Sequence, residues 1–179
     1  ISVTDGSDNI SLDITLKNDP NITVVSNEQE LKEAVQDSKI HTIIFKTNTI
    51  ILTFNLTTDG NLEFVITKDL TIDGDNHYKI TGPGSIRIRP KGGNHDLTLK
   101  NLTFDPDDDI TKWFEDPDGR YYYLMLTNDN NNNGYVVNTT FDNCYVDTVD
   151  NTDVSGAFFI DTSGADLTVI NSDINVVKV

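Results

Sequence analysis

One pattern constrains this chain more than any other. LTIDG at 70–74, LTLKNLTF at 97–104, TTFDNCYV at 139–146 and LTVINSDI at 167–174 align without gaps. Their fifth positions are Gly74, Asn101, Asn143 and Asn171, at intervals of 27, 42 and 28 residues. Each motif reads as strand, tight bend, strand. A unit of that kind cannot bury its apolar face alone, and stacking successive units does so, which makes a solenoid the expected architecture. The longer interval is one unit plus an insertion of about fifteen residues, because insertions in repeats map to loops. Residues 105–120, DPDDDITKWFEDPDGR, break the strand pattern and are that insertion. The recurring Asn suits the bend. It tolerates the left-handed backbone conformation, and its amide can bond to its equivalent one coil away, so Asn101, Asn143 and Asn171 are expected to form a ladder. Gly74 fits the same place because Gly accepts positive φ freely.

Composition agrees. Of 179 residues, 24 are Asp, 20 Asn and 22 Thr, against only 5 Glu. These are turn and strand residues and mediocre helix formers, so an all-helical bundle is excluded. The apolar residues arrive in short runs such as TIILTFNL (49–56), NLEFVIT (61–67), SIRIR (85–89), YYYLML (121–126) and AFFID (157–161). Turn signals separate the runs, among them Asp59-Gly60, Gly82-Pro83-Gly84 and Asn133-Gly134. Residues 26–37 give the one convincing helix. Ser26 is the expected N-cap, with Gln29 completing a capping box. Leu31, Ala34 and Val35 share a face. Such a helix ahead of a strand stack is expected to block the open N-terminal end against edge pairing.

Residues 1–22 read as a leading segment, with one half-buried strand through Ile10, Leu12, Ile14 and Leu16, ended by Pro20. Residues 23–179 read as the main domain. A β-sandwich competes, because short strands at regular spacing also suggest one. The registered Asn, the repeat unit of two or more strands and the preceding helix favour an all-β parallel solenoid with an N-terminal capping α-helix. The chain opens on Ile1 rather than Met and closes on the apolar run DINVVKV without a cap, so it is read as a segment of a longer precursor, with coils or another domain following.

The formal net charge is -16. Such a surface repels phosphate backbones and anionic membranes, so nucleic acid is not an expected partner. Hard cations, calcium among them, suit Asp and Asn oxygens. No segment approaches the ~18 consecutive apolar residues of a membrane span. Cys144 is the only cysteine, which excludes an internal disulfide and reads as a small buried residue. His41, His77 and His95 are scattered, with no ligand spacing.

VSNEQELKEAVQDSKIHTIIF, DLTIDGDNHYKI, LTLKNLTF and TTFDNCYV, in that order, resemble the pectate-lyase-like adhesive domain of Gram-positive surface proteins. Similar stretches occur in adhesin-like β-helix proteins of methanogenic archaea. The resemblance covers about residues 23–176. It implies a right-handed parallel β-helix displayed at the cell surface, outside the cell, on a wall-attached parent protein and used for attachment. The true lyases share the fold and resemble LTLKNLTF, but they need strand-borne calcium carboxylates and a basic residue, usually Arg. Here Arg87, Arg89, Lys91 and Arg120 are the only basic concentration. The lyases' Asp-His strand and Arg-Pro stretch have no counterpart, so no catalytic residue is named. A hydrolase on such a scaffold would pair Asp residues on adjacent coils. Asp73, Asp142 and Asp161 lie near strand ends, where Asp is usually a turn residue.

The insertion carries the candidate site. Asp105, Asp107, Asp108 and Asp109 cluster there, without EF-hand spacing. Asp105, Asp107 and Asp109 are the candidate calcium ligands, although a solvated acid run explains the same residues. Trp113 is the candidate aromatic platform for a sugar face, with Asp107, Asp108 and Asp109 as hydroxyl or calcium partners and Arg120 and Tyr121 beside them. Packing of Trp113 and Phe114 onto the solenoid is the competing explanation. Five N-x-S/T sequons (Asn9, Asn21, Asn55, Asn101 and Asn138) reflect composition, and Asn101 is already assigned to the ladder. The expectation is a non-catalytic, monomeric surface module binding a glycan or an extracellular surface. A polysaccharide lyase or hydrolase and a structural stalk are the alternatives.

Overall fold

The structure is a computed structural model. It describes residues 2–4, 9–11, 19–46, 49–51, 62–82, 85–106, 113–115, 119, 121–126, 134–146, 157–161 and 165–174. Strands β1 (Ser2–Thr4) and β2 (Asn9–Ser11) form an antiparallel pair. The expected leading strand falls partly on β2, and its remainder lies outside the described residues. There follow β3 (Ile22–Val25), helix α1 (Glu28–Gln36), β4 (Thr42–Phe45), β5 (Thr49–Ile51) and β6 (Leu62–Ile66). Next come β7 (Leu70–Gly82), β8 (Ile86–Pro90), β9 (His95–Pro106), β10 (Phe114–Glu115) and β11 (Tyr121–Leu126). The last four are β12 (Val137–Asp142), β13 (Tyr145–Val146), β14 (Ala157–Asp161) and β15 (Leu167–Ile170). The protein is thus mostly β, with one helix among the described residues.

Two sheets matter, and their pairing is parallel apart from β10. The larger runs β15-β12-β9-β7-β4-β3. Its two long strands each bend and serve two rows. The first half of β7 pairs with β4 and its second half with β5. Likewise β9 pairs first with β12 and then with β13. The smaller sheet orders β6-β8-β11-β14, with β10 lying antiparallel along Tyr121 and Tyr122 of β11. Pairing runs across 27, 42 and 28 residues along the chain. Parallel strands need crossovers of that length, and their faces must be covered.

Alternation decides which side chains are covered. Ile43, Ile72, Leu99, Phe141 and Val169 stand in register on successive strands. The first four are buried, whereas Val169 on the outermost strand is half exposed. Ile50, Ile80, Phe104 and Val146 make a second buried row. Phe64, Ile88 and Leu126 make a third, in the smaller sheet. Each fully buried aliphatic or aromatic side chain contributes about 1.5–3 kcal/mol, so these rows are the main stabilising element.

Helix α1 buries Leu31, Ala34 and Val35, the face expected from their spacing. It packs against β6, β3 and β4. Its cap is Asn27, not Ser26. The Asn27 side chain accepts from the Glu30 amide at 2.9 Å, while Glu30 Oε2 reaches back to the Ser26 amide at 2.6 Å. The cap has shifted one residue, because Asn caps at least as well as Ser, and the Glu30 carboxylate takes the amide of Ser26, one residue before the cap, in place of the expected box through Gln29. At the other end Lys68 donates to the Val35 carbonyl at 2.8 Å from a buried position. It supplies the positive charge that the helix's own last turn lacks.

Candidate functional site

Between the two rows of the larger sheet the backbone turns a corner at each level. Asn101, Asn143 and Asn171 all adopt left-handed φ, at 52°, 56° and 50°. Asn101 Nδ2 donates to Asp73 Oδ1 at 2.8 Å, and Asn143 Nδ2 donates to Asn101 Oδ1 at 2.8 Å. The direction is set by Asp73, because an ionised carboxylate only accepts. Among the described residues the side-chain ladder therefore runs Asp73–Asn101–Asn143. At Asn171 the level is held by backbone, with the Asn143 amide donating to the Ile170 carbonyl at 2.9 Å.

Gly74 does not take the left-handed place expected of it. Asp75 and His77 do, at φ 55° and 58°. What requires glycine at 74 is close approach, since a Cβ there would collide with the Asn101 carbonyl oxygen and Leu102 Cδ2. His77 closes the corner. Its Nε2 lies 3.4 Å from Asn143 Nδ2, and its ring meets Tyr145 edge-on at 5.0 Å. Asn143 thereby spans the corner, with its amide nitrogen between Asn101 Oδ1 and the His77 ring.

Asp73 has further partners. Its Oδ2 meets Lys100 Nζ at 3.0 Å, and its Oδ1 also accepts from the Asp75 amide at 2.9 Å. Burial disfavours its charge, but the Asn101 amide, the Asp75 amide and Lys100 together outweigh burial and hold the carboxyl below its ordinary value. Cys144 is fully buried and its Sγ donates to the Leu99 carbonyl at 3.2 Å; burial pushes its thiol up to about 11.

Of the two readings of Trp113, packing rather than display is the one the fold adopts. Trp113 is 1% exposed and meets Tyr123 at 5.7 Å between ring centroids. Tyr123 in turn meets Phe104, which meets Phe141. A side chain so covered is no platform for a sugar. Its apolar area is worth more in the core, and β10 folds the adjoining residues back onto β11 rather than letting them project. Tyr121, half-buried at the start of β11, pairs with Glu115 of β10 and Ala157 of β14. Asp105 faces Lys79 at 3.3 Å instead of a group of carboxylates. Asp107, Asp108, Asp109 and Arg120 lie outside the described residues. Among the described residues no three His, Cys, Asp or Glu side chains are grouped to hold a metal ion. Arg87 and Arg89 stand on β8 in the smaller sheet, whereas Asp73 is on β7 in the larger one. Asp142 is in the larger sheet with Asp73, in register with Lys100 between them, while Asp161 is in the smaller one, so the three Asp do not converge.

The strand register creates a second feature, carried by threonine. Thr42, Thr71, Thr98, Thr140 and Thr168 are in register on five successive strands. They point away from the core, alternating on the four inner strands with the buried Ile43, Ile72, Leu99 and Phe141. To one side of this column, Asp69, Asp96, Asn138 and Asp166 follow one another. The Asp96 amide donates to Asp69, Asn138 Nδ2 to Asp96, and the Asp166 amide to Asn138. To the other side stand Asp73, Lys100 and Asp142. The signal was the second position of each motif, Thr in all four.

No family model, curated protein or solved structure matches this chain. Among the described residues no helix is long and apolar enough to cross a membrane.

Proposed function

We propose that this chain is a right-handed parallel β-helix, closed at its N-terminal end by α1, and that it acts as a non-catalytic, surface-displayed binding module of adhesin type. The observation that carries this reading is the strand register. Parallel strands succeed one another at the chain intervals expected of coils, with an Asn or its Asp counterpart at each corner. A stiff stack of this kind presents a long, even surface and suits attachment. The charged groups that chemistry would need are engaged elsewhere: Asp73 is held by Asn101 and Lys100, and Asp105 by Lys79. Binding to a glycan at an extracellular surface, by a monomeric domain of a larger protein, completes the proposal. Calcium is left to the experiment, because the candidate ligands Asp107 and Asp109 lie outside the described residues. A glycan array with and without calcium tests it, alongside turnover of pectin-type polymers. Binding without turnover supports the module, and unsaturated products from polygalacturonate overturn it in favour of a lyase.

A structural stalk is the second reading. The outermost strand β15 leaves Leu167, Val169 and Ile170 at 40%, 49% and 44% exposure, a surface on which a further strand could stack. Failure of every glycan and surface to bind, with the fold intact, favours the stalk.

A further inference from the structure

The threonine column has the properties of a contact surface. Its five side chains project from one sheet at the interstrand spacing, ~4.8 Å. Among the described residues none of their hydroxyls is engaged. Each therefore offers one donor and two acceptor positions to whatever lies across the strands. The β-branched side chains are stiff at χ1, so little rotamer entropy is lost on contact. Thr42, Thr71 and Thr98, with His41, Asp69 and Asp96, also line a shallow depression on this face.

The flanks specify the charge of a partner. Asp69, Asp96 and Asp166 border one side, and Asp69 is 72% exposed at its side chain. Asp73 and Asp142 border the other, where Lys100 is held by Asp73 at 3.0 Å. The whole chain adds its net charge of -16. An anionic polymer such as a polyuronate is repelled by such a surface, and a cationic one is attracted to it. The four strands β4, β7, β9 and β12 beneath the column are hydrogen-bonded on both sides, so across Thr42, Thr71, Thr98 and Thr140 the face offers no free backbone edge to an extended peptide. A polymer that carries hydroxyls and ammonium groups along one line matches both the Thr column and its acidic borders.

We propose that the outward Thr42–Thr71–Thr98–Thr140–Thr168 face binds a linear amino-sugar polymer with free ammonium groups, lying across the strands between the two acidic borders. The proposal rests on the reading of the chain as a glycan-binding module and names its surface and ligand class.

The test is calorimetric titration of the whole chain with glucosamine oligosaccharides at mildly acidic pH, where the amines are charged and the carboxylates still ionised. N-acetylated oligosaccharides, polygalacturonate and polylysine are the comparison arms. Expected is salt-sensitive binding of the glucosamine oligomers alone. Thr98→Lys, which sets an ammonium in the middle of the column, should weaken it by about tenfold or more. Thr98→Val keeps the shape, removes one hydroxyl and should weaken it by about threefold. Glu33→Gln, on the helix, should leave it unchanged. Trp113 fluorescence verifies that each variant is folded. Undiminished binding by Thr98→Lys overturns the face, and equal binding of N-acetylated oligomers or of polylysine overturns the ligand class. No binding of glucosamine oligomers overturns the proposal, while a positive glycan array would then leave the module reading standing.

Discussion

Replacing Asn101 tests the corner at its centre. The side chain makes two bonds of 2.8 Å, one to the Asp73 carboxylate and one from Asn143. A bond to a charged group contributes about 1.5–3 kcal/mol and a neutral one about 0.5–1.5 kcal/mol. The backbone sits at φ 52°, where an ordinary L-residue pays about 1 kcal/mol that Asn largely avoids. Asn101 is only partly buried, so water recovers some of the lost bonding. The net expectation for Asn101→Ala is a loss of about 3 kcal/mol, roughly 6–12 °C in Tm for a chain of this size. Asn101→Gly loses the same bonds without the conformational cost and should be more stable than the Ala variant by about 1 kcal/mol. Urea unfolding followed by the fluorescence of Trp113, the only tryptophan and a buried one, measures both. Equal stabilities for Ala and Gly refute the backbone term. A loss below ~1 kcal/mol in both refutes the ladder as a structural strut.

Four further outcomes are expected. Because the folded Asp73 carboxyl lies below its unfolded value, its contribution is complete above pH ~4 and is lost as pH falls through the lower folded value; Asp73→Asn should flatten that acid limb in unfolding measured against pH. Gly74→Ala should destabilise by about 3 kcal/mol, because backbone at Asn101 blocks the added Cβ, and chemical denaturation reads the loss. Cys144 should resist thiol reagents at neutral pH in the native protein and react only as fast as the chain unfolds, since its thiol is buried and raised to about 11. Lys68→Ala should cost about 2 kcal/mol by orphaning the Val35 carbonyl. Burial lowers the lysine's folded value despite the nearby Asp37, so the unfolded state binds more protons between that value and the ordinary one. The stability gap between wild type and Lys68→Ala should therefore widen as pH rises through that alkaline range.

Much of the architecture was legible in local pattern. Alternation marked Ile43, Ile72, Leu99 and Phe141 as one-sided, because a strand turns successive side chains to opposite faces. The recurrence of Asn at one motif position marked the corners, because few residues accept positive φ without strain. Helix α1 was readable from Leu31, Ala34 and Val35. Its cap was misplaced by one residue, since Ser26 and Asn27 are both good caps and only the folded chain shows which one meets the Glu30 amide.

What the residues by themselves determined is which way side chains point and where the chain can bend, since those properties follow from dihedral preferences over a few positions. What only tertiary structure decided is which distant residues meet once levels are stacked. Asp73, Asn101 and Asn143 become neighbours across 28 and 42 residues, and no local preference encodes that Asp73 rather than Gly74 begins the ladder. Gly74 is required by the carbonyl of a strand one level away, not by its own turn. Locally Trp113 reads equally as a platform or as a packing residue, and the fold decides for packing, because it brings Trp113 against Tyr123 and burying the largest apolar side chain outweighs displaying it. The Thr column is the same lesson in reverse. Each Thr was plain in its own motif, but only parallel register turns five separate hydroxyls into one continuous surface, because pairing, not sequence distance, sets their spacing.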